Sequence, residues 1–252
     1  MKLGLMLGYW MAGPEDPIEL VREAEDLGFD SVWSAEAYGN DCVSTLCWMG
    51  ARTKRIKLGT GIMQISARTP ACVAMTAMTI DHLSGGRFIL GIGASGPQVV
   101  EGWYGQPFPK PIGRTREFVE LVRSMLRREK PVEFQGEHYK LPYPGGAGLG
   151  KPLKLINRPL RSDIPIYIAA EGPKNVEMAL EVGDDPAADR HTARAGRQWA
   201  DRDGGGIRAG RLRSGRRPHD RSARRLGAAA RFSRAGCVRR VFLRRCAWRR
   251  RW

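Results

Sequence analysis

The chain has 252 residues, 42 of them Lys or Arg and 26 Asp or Glu, for a formal charge of +16. That length builds one large domain or two small ones and excludes a peptide or mini-protein. A charge this high suggests a nucleic-acid or membrane-surface binder, but residues 1–184 balance 9 Lys and 12 Arg against 21 acids, so the excess belongs wholly to residues 185–252.

Residues 2–8 form a short apolar run that predicts a buried strand. Asp16-Pro17-Ile18-Glu19 then supplies an N-cap, a proline at the first helical position and a capping-box acid. The helix so predicted runs to about Leu27, with Ile18, Val21, Ala24 and Leu27 on one stripe and Gly28 as its stop. Strands follow at 31–35, 56–62 and 87–92, and helices at 41–52 and 69–83, the second ending in Gly85-Gly86. Strand starts near 2, 31, 56 and 87 are 29, 25 and 31 residues apart. Repeated βα units with strands apolar on both sides imply a parallel sheet covered by helices, while the period alone leaves barrel and open sheet both standing.

A Gly- and Pro-rich loop is expected over 93–113, before an amphipathic helix marked by Phe118, Leu121, Val122, Met125 and Leu126. Residues 132–141 read as a hairpin around Gln135-Gly136, and a Gly-rich loop reaches about Leu160. Residues 164–169 predict a fifth strand and 173–182 a helix, after which the pattern stops.

Several motifs carry chemical meaning. Gly91-Ile92-Gly93-Ala94-Ser95-Gly96 matches the dinucleotide fingerprint, but it sits in the fourth βα unit and prolines and glycines soon interrupt any helix after it, so a glycine loop at a cofactor is the better reading. Glu36, at the carboxyl end of the second strand, stands where ligands bind in parallel α/β folds, and it equally suits a loop-capping role. Gly59-Thr60-Gly61-Ile62-Met63-Gln64 ends the third strand with glycines that serve either packing or close approach to a ligand. Ala170-Glu171-Gly172 precedes a helix start whose free N–H groups suit a phosphate or simply begin a helix. His82 and His138 are distant in sequence, and neither a Ser-His-Asp set nor a metal-ligand spacing is visible. The five cysteines form no C-x-x-C pair, which predicts a reduced, cytoplasmic setting; neither a signal peptide nor an apolar run of the roughly 18 residues needed to span a membrane is present.

Taken in order, Lys2-Leu3-Gly4-Leu5-Met6, Gly28-Phe29-Asp30-Ser31-Val32-Trp33, Leu58-Gly59-Thr60-Gly61-Ile62, Asp81-His82-Leu83-Ser84-Gly85-Gly86-Arg87-Phe88 and Ile168-Ala169-Ala170-Glu171-Gly172-Pro173 resemble the luciferase-like monooxygenase family. Within it they are most similar to the oxidoreductases that use the deazaflavin coenzyme F420, with FMN as the alternative cofactor. The resemblance covers residues 1 to about 184 and implies a TIM (β/α)8 barrel, of which this stretch supplies about five βα units. It places the cofactor at the carboxyl ends of the strands, with hydride exchange between the deazaflavin and a small-molecule substrate. It implies a cis peptide at Gly61-Ile62 behind the deazaflavin ring, Gln64 beside it, Glu36 as the catalytic residue and proton donor near the ring, Ala94, Ser95 and Gly96 around it, and Ala170, Glu171 and Gly172 at the cofactor tail. Relatives often carry histidine after Glu36, where this chain has Ala37. Homo-oligomers are frequent in the family.

Residues 185–252 contain 21 Arg, 12 Ala and 8 Gly, no Lys or Glu, and only 8 Leu, Ile, Val or Phe. Such a composition builds little core and is expected to be unstructured. Out-of-frame reading of a GC-rich gene beyond Asp184 yields this bias, which makes a truncated, inactive barrel the expectation. The competing reading is an arginine-rich arm that binds nucleic acid through phosphates without sequence preference.

Overall fold

The computed structural model of the chain describes residues 2–7 and 16–184. The strand β1 (Gly4–Met6) leads to the helix α1 (Ile18–Asp26), then β2 (Ser31–Ser34), α2 (Cys42–Gly50), β3 (Lys57–Thr60), β4 (Met63–Gln64), α3 (Pro70–Ser84) and β5 (Phe88–Gly93). A short α4 (Pro97–Val100), the long α5 (Pro111–Arg127), the hairpin strands β6 (Phe134–Gln135) and β7 (Lys140–Leu141), then β8 (Ile166–Ile168) and α6 (Pro173–Val182) complete the described part. The expectations for residues 185–252 lie outside the described residues, as does the end of the first predicted strand at Gly8.

The main sheet is wholly parallel and runs β1-β2-β3-β5-β8 in the order of the sequence, with β4 carrying the line of β3 onward beside β5. Each new strand is added on the same side as the one before. A doubly wound sheet reverses direction at a switch point. The absence of a reversal among the described strands is the pattern of a barrel wall, and the described residues provide about five βα units of a TIM-type barrel.

Apolar side chains from one side of the strands, Val32, Leu58, Phe88, Leu90 and Ile166, are buried against Leu46 and Met49 of α2, Val73 and Ala77 of α3 and Phe118 and Leu121 of α5. Thr69 caps α3 by accepting from Cys72 N, and Gly85 closes that helix in the left-handed region at φ 66°. Asp41 caps α2 through Val43 N at 2.7 Å. Two expectations shift. Leu27 is 69% exposed because a strict three-residue spacing drifts around a helix of about 3.6 residues per turn, which sets Leu27 about half a turn from Ile18 and off the buried stripe of Ile18, Val21 and Ala24. The loop expected over 93–113 contains α4 and the first turn of α5, since Pro97 and Pro111 occupy first-turn positions, where a missing N–H costs no helical bond.

The glycines of the Gly91-Ile92-Gly93 motif have a packing explanation. A Cβ on Gly91 would lie 1.8 Å from the carbonyl oxygen of Thr60, and one on Gly93 would lie 2.6 Å from Cδ1 of Ile62. Thr60 Oγ1 fastens the same crossing, accepting from Gly91 N at 2.8 Å and donating to Gly91 O at 2.7 Å. The first clash involves backbone held on both sides, so it cannot be relieved by rotating a side chain. Gly91→Ala should therefore destabilise the full chain by about 2 kcal/mol or more, read as a lowered midpoint in urea unfolding. An unchanged midpoint would show that this strand contact is not constrained as described.

Candidate functional site

The carboxyl ends of the parallel strands gather most of the expected residues. Glu36 follows β2 and is buried at 5% exposure. Its Oε1 accepts the backbone N–H of Gln64 at 2.9 Å and a guanidinium N–H of Arg68. Its Oε2 accepts from Arg68 Nη2 at 3.0 Å, Cys42 Sγ at 3.1 Å and Cys42 N at 3.4 Å. Both oxygens are thus occupied by donors from three segments of chain. Arg68 also approaches Asp41 at 3.6 Å. Burial works against the charge of Arg68, but hydrogen bonding and the charge of Glu36 outweigh it and hold the guanidinium more firmly protonated than usual.

Gln64 is 1% exposed and binds the loop after β2 a second time, its Nε2 donating to the carbonyls of Glu36 at 3.1 Å and Ala37 at 3.4 Å. Its Oε1 is buried without a partner among the described residues. Shortly before it, the peptide between Gly61 and Ile62 is cis. Ile62 spans the ends of β3 and β5, and a Cβ on the adjoining Gly93 would also lie 3.3 Å from Ala169 Cβ, just past β8. Ala94, Ser95 and Gly96 form the next loop, Ser95 at φ 61° and Gly96 at the start of α4. Ala170, Glu171 and Gly172 lead into α6, whose N-cap Gly172 has φ 79° and offers no side-chain cap. The loops after β2, β3, β5 and β8 all leave the same end of the sheet, the end that holds ligands in this architecture.

Sequence reasoning missed Arg68, Cys42 and Tyr104. Arg68 lies 32 residues from Glu36, and no local period connects them. Tyr104 donates its hydroxyl to Ala37 O at 3.0 Å, tying the loop after β5 to the loop after β2. Burial, followed by the charge and hydrogen bond of Glu36, pushes the Cys42 thiol far above its ordinary value, so it remains a protonated donor. Glu36, Asp41 and Cys42 present ligand atoms within 4.8 Å of one another. Arg68 already supplies positive charge there, and Asp41 is engaged in capping α2, so these donors are committed to the fold. His82 binds Arg158 O at 2.8 Å and His138 lies by Gly113, both remote from Glu36 in their contacts.

The family model for luciferase-like monooxygenases matches residues 5–230, and the chain belongs to that family. A Mycobacterium tuberculosis protein named as a putative coenzyme F420-dependent oxidoreductase is 59% identical over 187 residues, covering 73% of this chain and 54% of its own. The 5,10-methylenetetrahydromethanopterin reductase of Archaeoglobus fulgidus is 42% identical over 166 residues, covering 65% and 46% respectively. Among solved structures, the coenzyme F420-dependent tetrahydromethanopterin reductase of Methanopyrus kandleri superposes with a TM-score of 0.61 at 28% identity, covering 72% of this chain and 54% of that one. The chain spans about half the length of the curated relatives it matches. The family match continues past residue 184, beyond the boundary expected from composition. No helix among the described residues is long and apolar enough to cross a membrane.

Removing one member of a buried ion pair leaves the other without compensation, at a typical cost of about 3 to 5 kcal/mol. Arg68→Met and Glu36→Gln should each lower stability strongly, and the double variant should lose less than the sum of the two. Urea unfolding of the three variants measures this coupling, and simple additivity would show that the pair does not act as a joint.

Proposed function

We propose that residues 1–184 form the cofactor half-site of an F420-dependent oxidoreductase acting on a small-molecule substrate. The observation that carries this reading is the partnerless, buried Oε1 of Gln64 beside the Gly61-Ile62 segment. Buried polar atoms are nearly always satisfied, and an acceptor left open at the strand ends suits an N–H of a bound heterocycle. The names of the relatives at 59% and 42% identity support F420 over FMN. F420, when bound, supplies the hydride-carrying carbon. In this reading Gly61, Ile62 and Gln64 hold one side of the ring, Ala94, Ser95 and Gly96 border it, and Ala170, Glu171 and Gly172 meet the tail, where free N–H groups at the start of α6 favour an anion.

Glu36 takes a different part from that of a proton donor. With both oxygens already engaged by Arg68, Cys42 and Gln64, it serves as a positioning residue that holds the loop after β2 and the segment after Ile62 in register. Water exclusion and orientation are then the protein's contributions to hydride exchange.

A second reading concerns residues 185–252, whose 21 Arg without a single Lys support translation out of frame after Asp184. Lysine serves phosphate binding nearly as well as arginine, so selection for a nucleic-acid arm gives no reason to exclude it. On this reading residues 185–252 do not supply the loops after the last barrel strands, which often hold phosphate in such barrels, and the chain as written is inactive.

Equilibrium titration separates the two readings. The chain as written should bind F420 with a dissociation constant weaker than micromolar, and a protein with the frame restored after Asp184 should bind it tightly and in preference to FMN. Sub-micromolar binding by the chain as written would remove the out-of-frame reading; preference for FMN after repair would remove the F420 assignment. In the repaired protein Gly61→Val should weaken F420 binding about tenfold or more, because an added Cβ already comes within 3.3 Å of Met6 Cε and a branched side chain extends further. The arginine-rich segment should also give the full chain a nucleic-acid affinity that falls steeply between about 50 and 200 mM salt and ignores sequence. Tight, sequence-selective retention at the higher salt in a filter-binding assay would instead support an arm shaped for recognition.

A further inference from the structure

The loops after β2 and β5 each carry an exposed aromatic ring. Tyr38 is 69% exposed and Trp103 is 64% exposed, yet their centroids lie 6.5 Å apart with the planes tilted by 58°. Two large rings in contact on a ligand-bearing end, both open to solvent, are not explained by packing, which would bury them. Their supports are firm. Trp103 N and Tyr104 N both donate to Val99 O, at 3.0 and 3.1 Å, Val100 is fully buried, and the Tyr104 hydroxyl is bonded to Ala37 O, next to Tyr38. The same Ala37 carbonyl receives Gln64 Nε2, so the pair borders the segment proposed to hold the cofactor ring.

The charges around this mouth narrow what could lie there. Within residues 35–41, 65–69 and 94–114 the cations are Arg68, Lys110 and Arg114. Arg68 is taken by Glu36 and Asp41, and Lys110 by Glu137. Arg114 is taken by the Tyr139 hydroxyl at 3.1 Å and Pro107 O at 3.3 Å. Arg68 and Lys110 are therefore each paired with a carboxylate, Arg114 turns its donors onto neutral oxygens of its own surroundings, and the exposed Glu101, two residues before Trp103, disfavours anions.

We propose that Tyr38 and Trp103 form the platform on which the substrate rests, and that the substrate is an uncharged molecule with a flat apolar ring. The inference rests on the F420 reading for calling this molecule a substrate, while the platform itself lies wholly on described loops and needs no cofactor to be tested. Aromatic rings fixed by their backbone stack on a planar ligand with little ordering cost, and the pairing of Arg68 and Lys110 with carboxylates, together with the exposed Glu101 beside Trp103, discriminates against phosphorylated or carboxylated molecules.

The test uses the full chain and 2-naphthol, an uncharged bicyclic probe, followed by ligand-observed NMR, with a sugar phosphate as the charged counterpart. Saturable naphthol binding is expected, weakened about fivefold to tenfold in Tyr38→Ala and Trp103→Ala and kept within about twofold in Trp103→Phe, with no saturable binding of the sugar phosphate. A thermal unfolding midpoint unchanged in the alanine variants separates loss of the platform from loss of fold. Absent naphthol binding, equal binding by wild type and both alanine variants, or a preference for the sugar phosphate would each overturn the proposal. F420 titration of the repaired protein keeps the two inferences apart: naphthol binding without F420 binding sinks the cofactor reading alone, and the converse sinks the substrate class alone.

Discussion

The contact on which this site depends is the buried pair between Glu36 and Arg68. A carboxylate at 5% exposure is tolerable only if its lost hydration is replaced, and here five donors replace it: two from the guanidinium, the N–H groups of Gln64 and Cys42, and the Cys42 thiol. These donors answer different requirements of the architecture. Gln64 N fixes the chain just after Ile62, Cys42 N fixes the start of α2, and Arg68 fixes the approach to α3. One carboxylate thereby joins the second and third βα units at the end of the sheet where chemistry is placed.

The opposite end of the sheet is held by a second arrangement of the same type. Asp81 of α3 is fully buried and receives Arg161 through both Nε and Nη2, while Arg161 also binds Phe88 O at 2.7 Å. Arg87 inserts among the carbonyls of Gly50, Thr53, Ile56 and Ser84, satisfying oxygens at the end of α2 and in the connection into β3. Burial lowers the pKa of Arg87, and the charge of Glu25 opposes that only in part. The run Asp81-His82-Leu83-Ser84-Gly85-Gly86-Arg87-Phe88 is thus a device for closing the amino ends of the strands, with Gly85 and Gly86 at positive φ to turn the chain sharply into β5.

Between these ends, glycine sets how closely the strands approach. Gly59 leaves room for the Trp33 ring, which a Cβ there would meet at 2.3 Å, and Trp33 in turn stacks on Tyr167 at 5.7 Å. Gly91 admits the Thr60 carbonyl, and Gly93 admits Ile62. The first two glycines of the spacing that imitates a dinucleotide fingerprint thus let β5 approach the end of β3 closely.

Much of the fold was legible in the sequence, because period and punctuation are local properties. The stripe of Ile18, Val21 and Ala24, the helix starts at Asp41 and Thr69, the Gly85-Gly86 stop and the apolar run of β5 each depend on residues within a turn or two of one another, and they stand where expected. The ordered set of short motifs pointed to the family for the same reason, since each motif is contiguous along the chain. What the period could not decide was barrel against open sheet, since both consist of the same βα units; only the unreversed strand order separates them. Nor could the sequence tell whether Glu36 binds a ligand or anchors a loop. Its partners Gln64 and Arg68 lie 28 and 32 residues away, and a bond across that distance exists only once the sheet has brought the strand ends together. Sequence determined the elements and the family, because short-range sterics and hydrophobic period write themselves along the chain; tertiary structure alone decided which buried charge is committed and which buried acceptor is left open, because those depend on neighbours the chain meets only after folding.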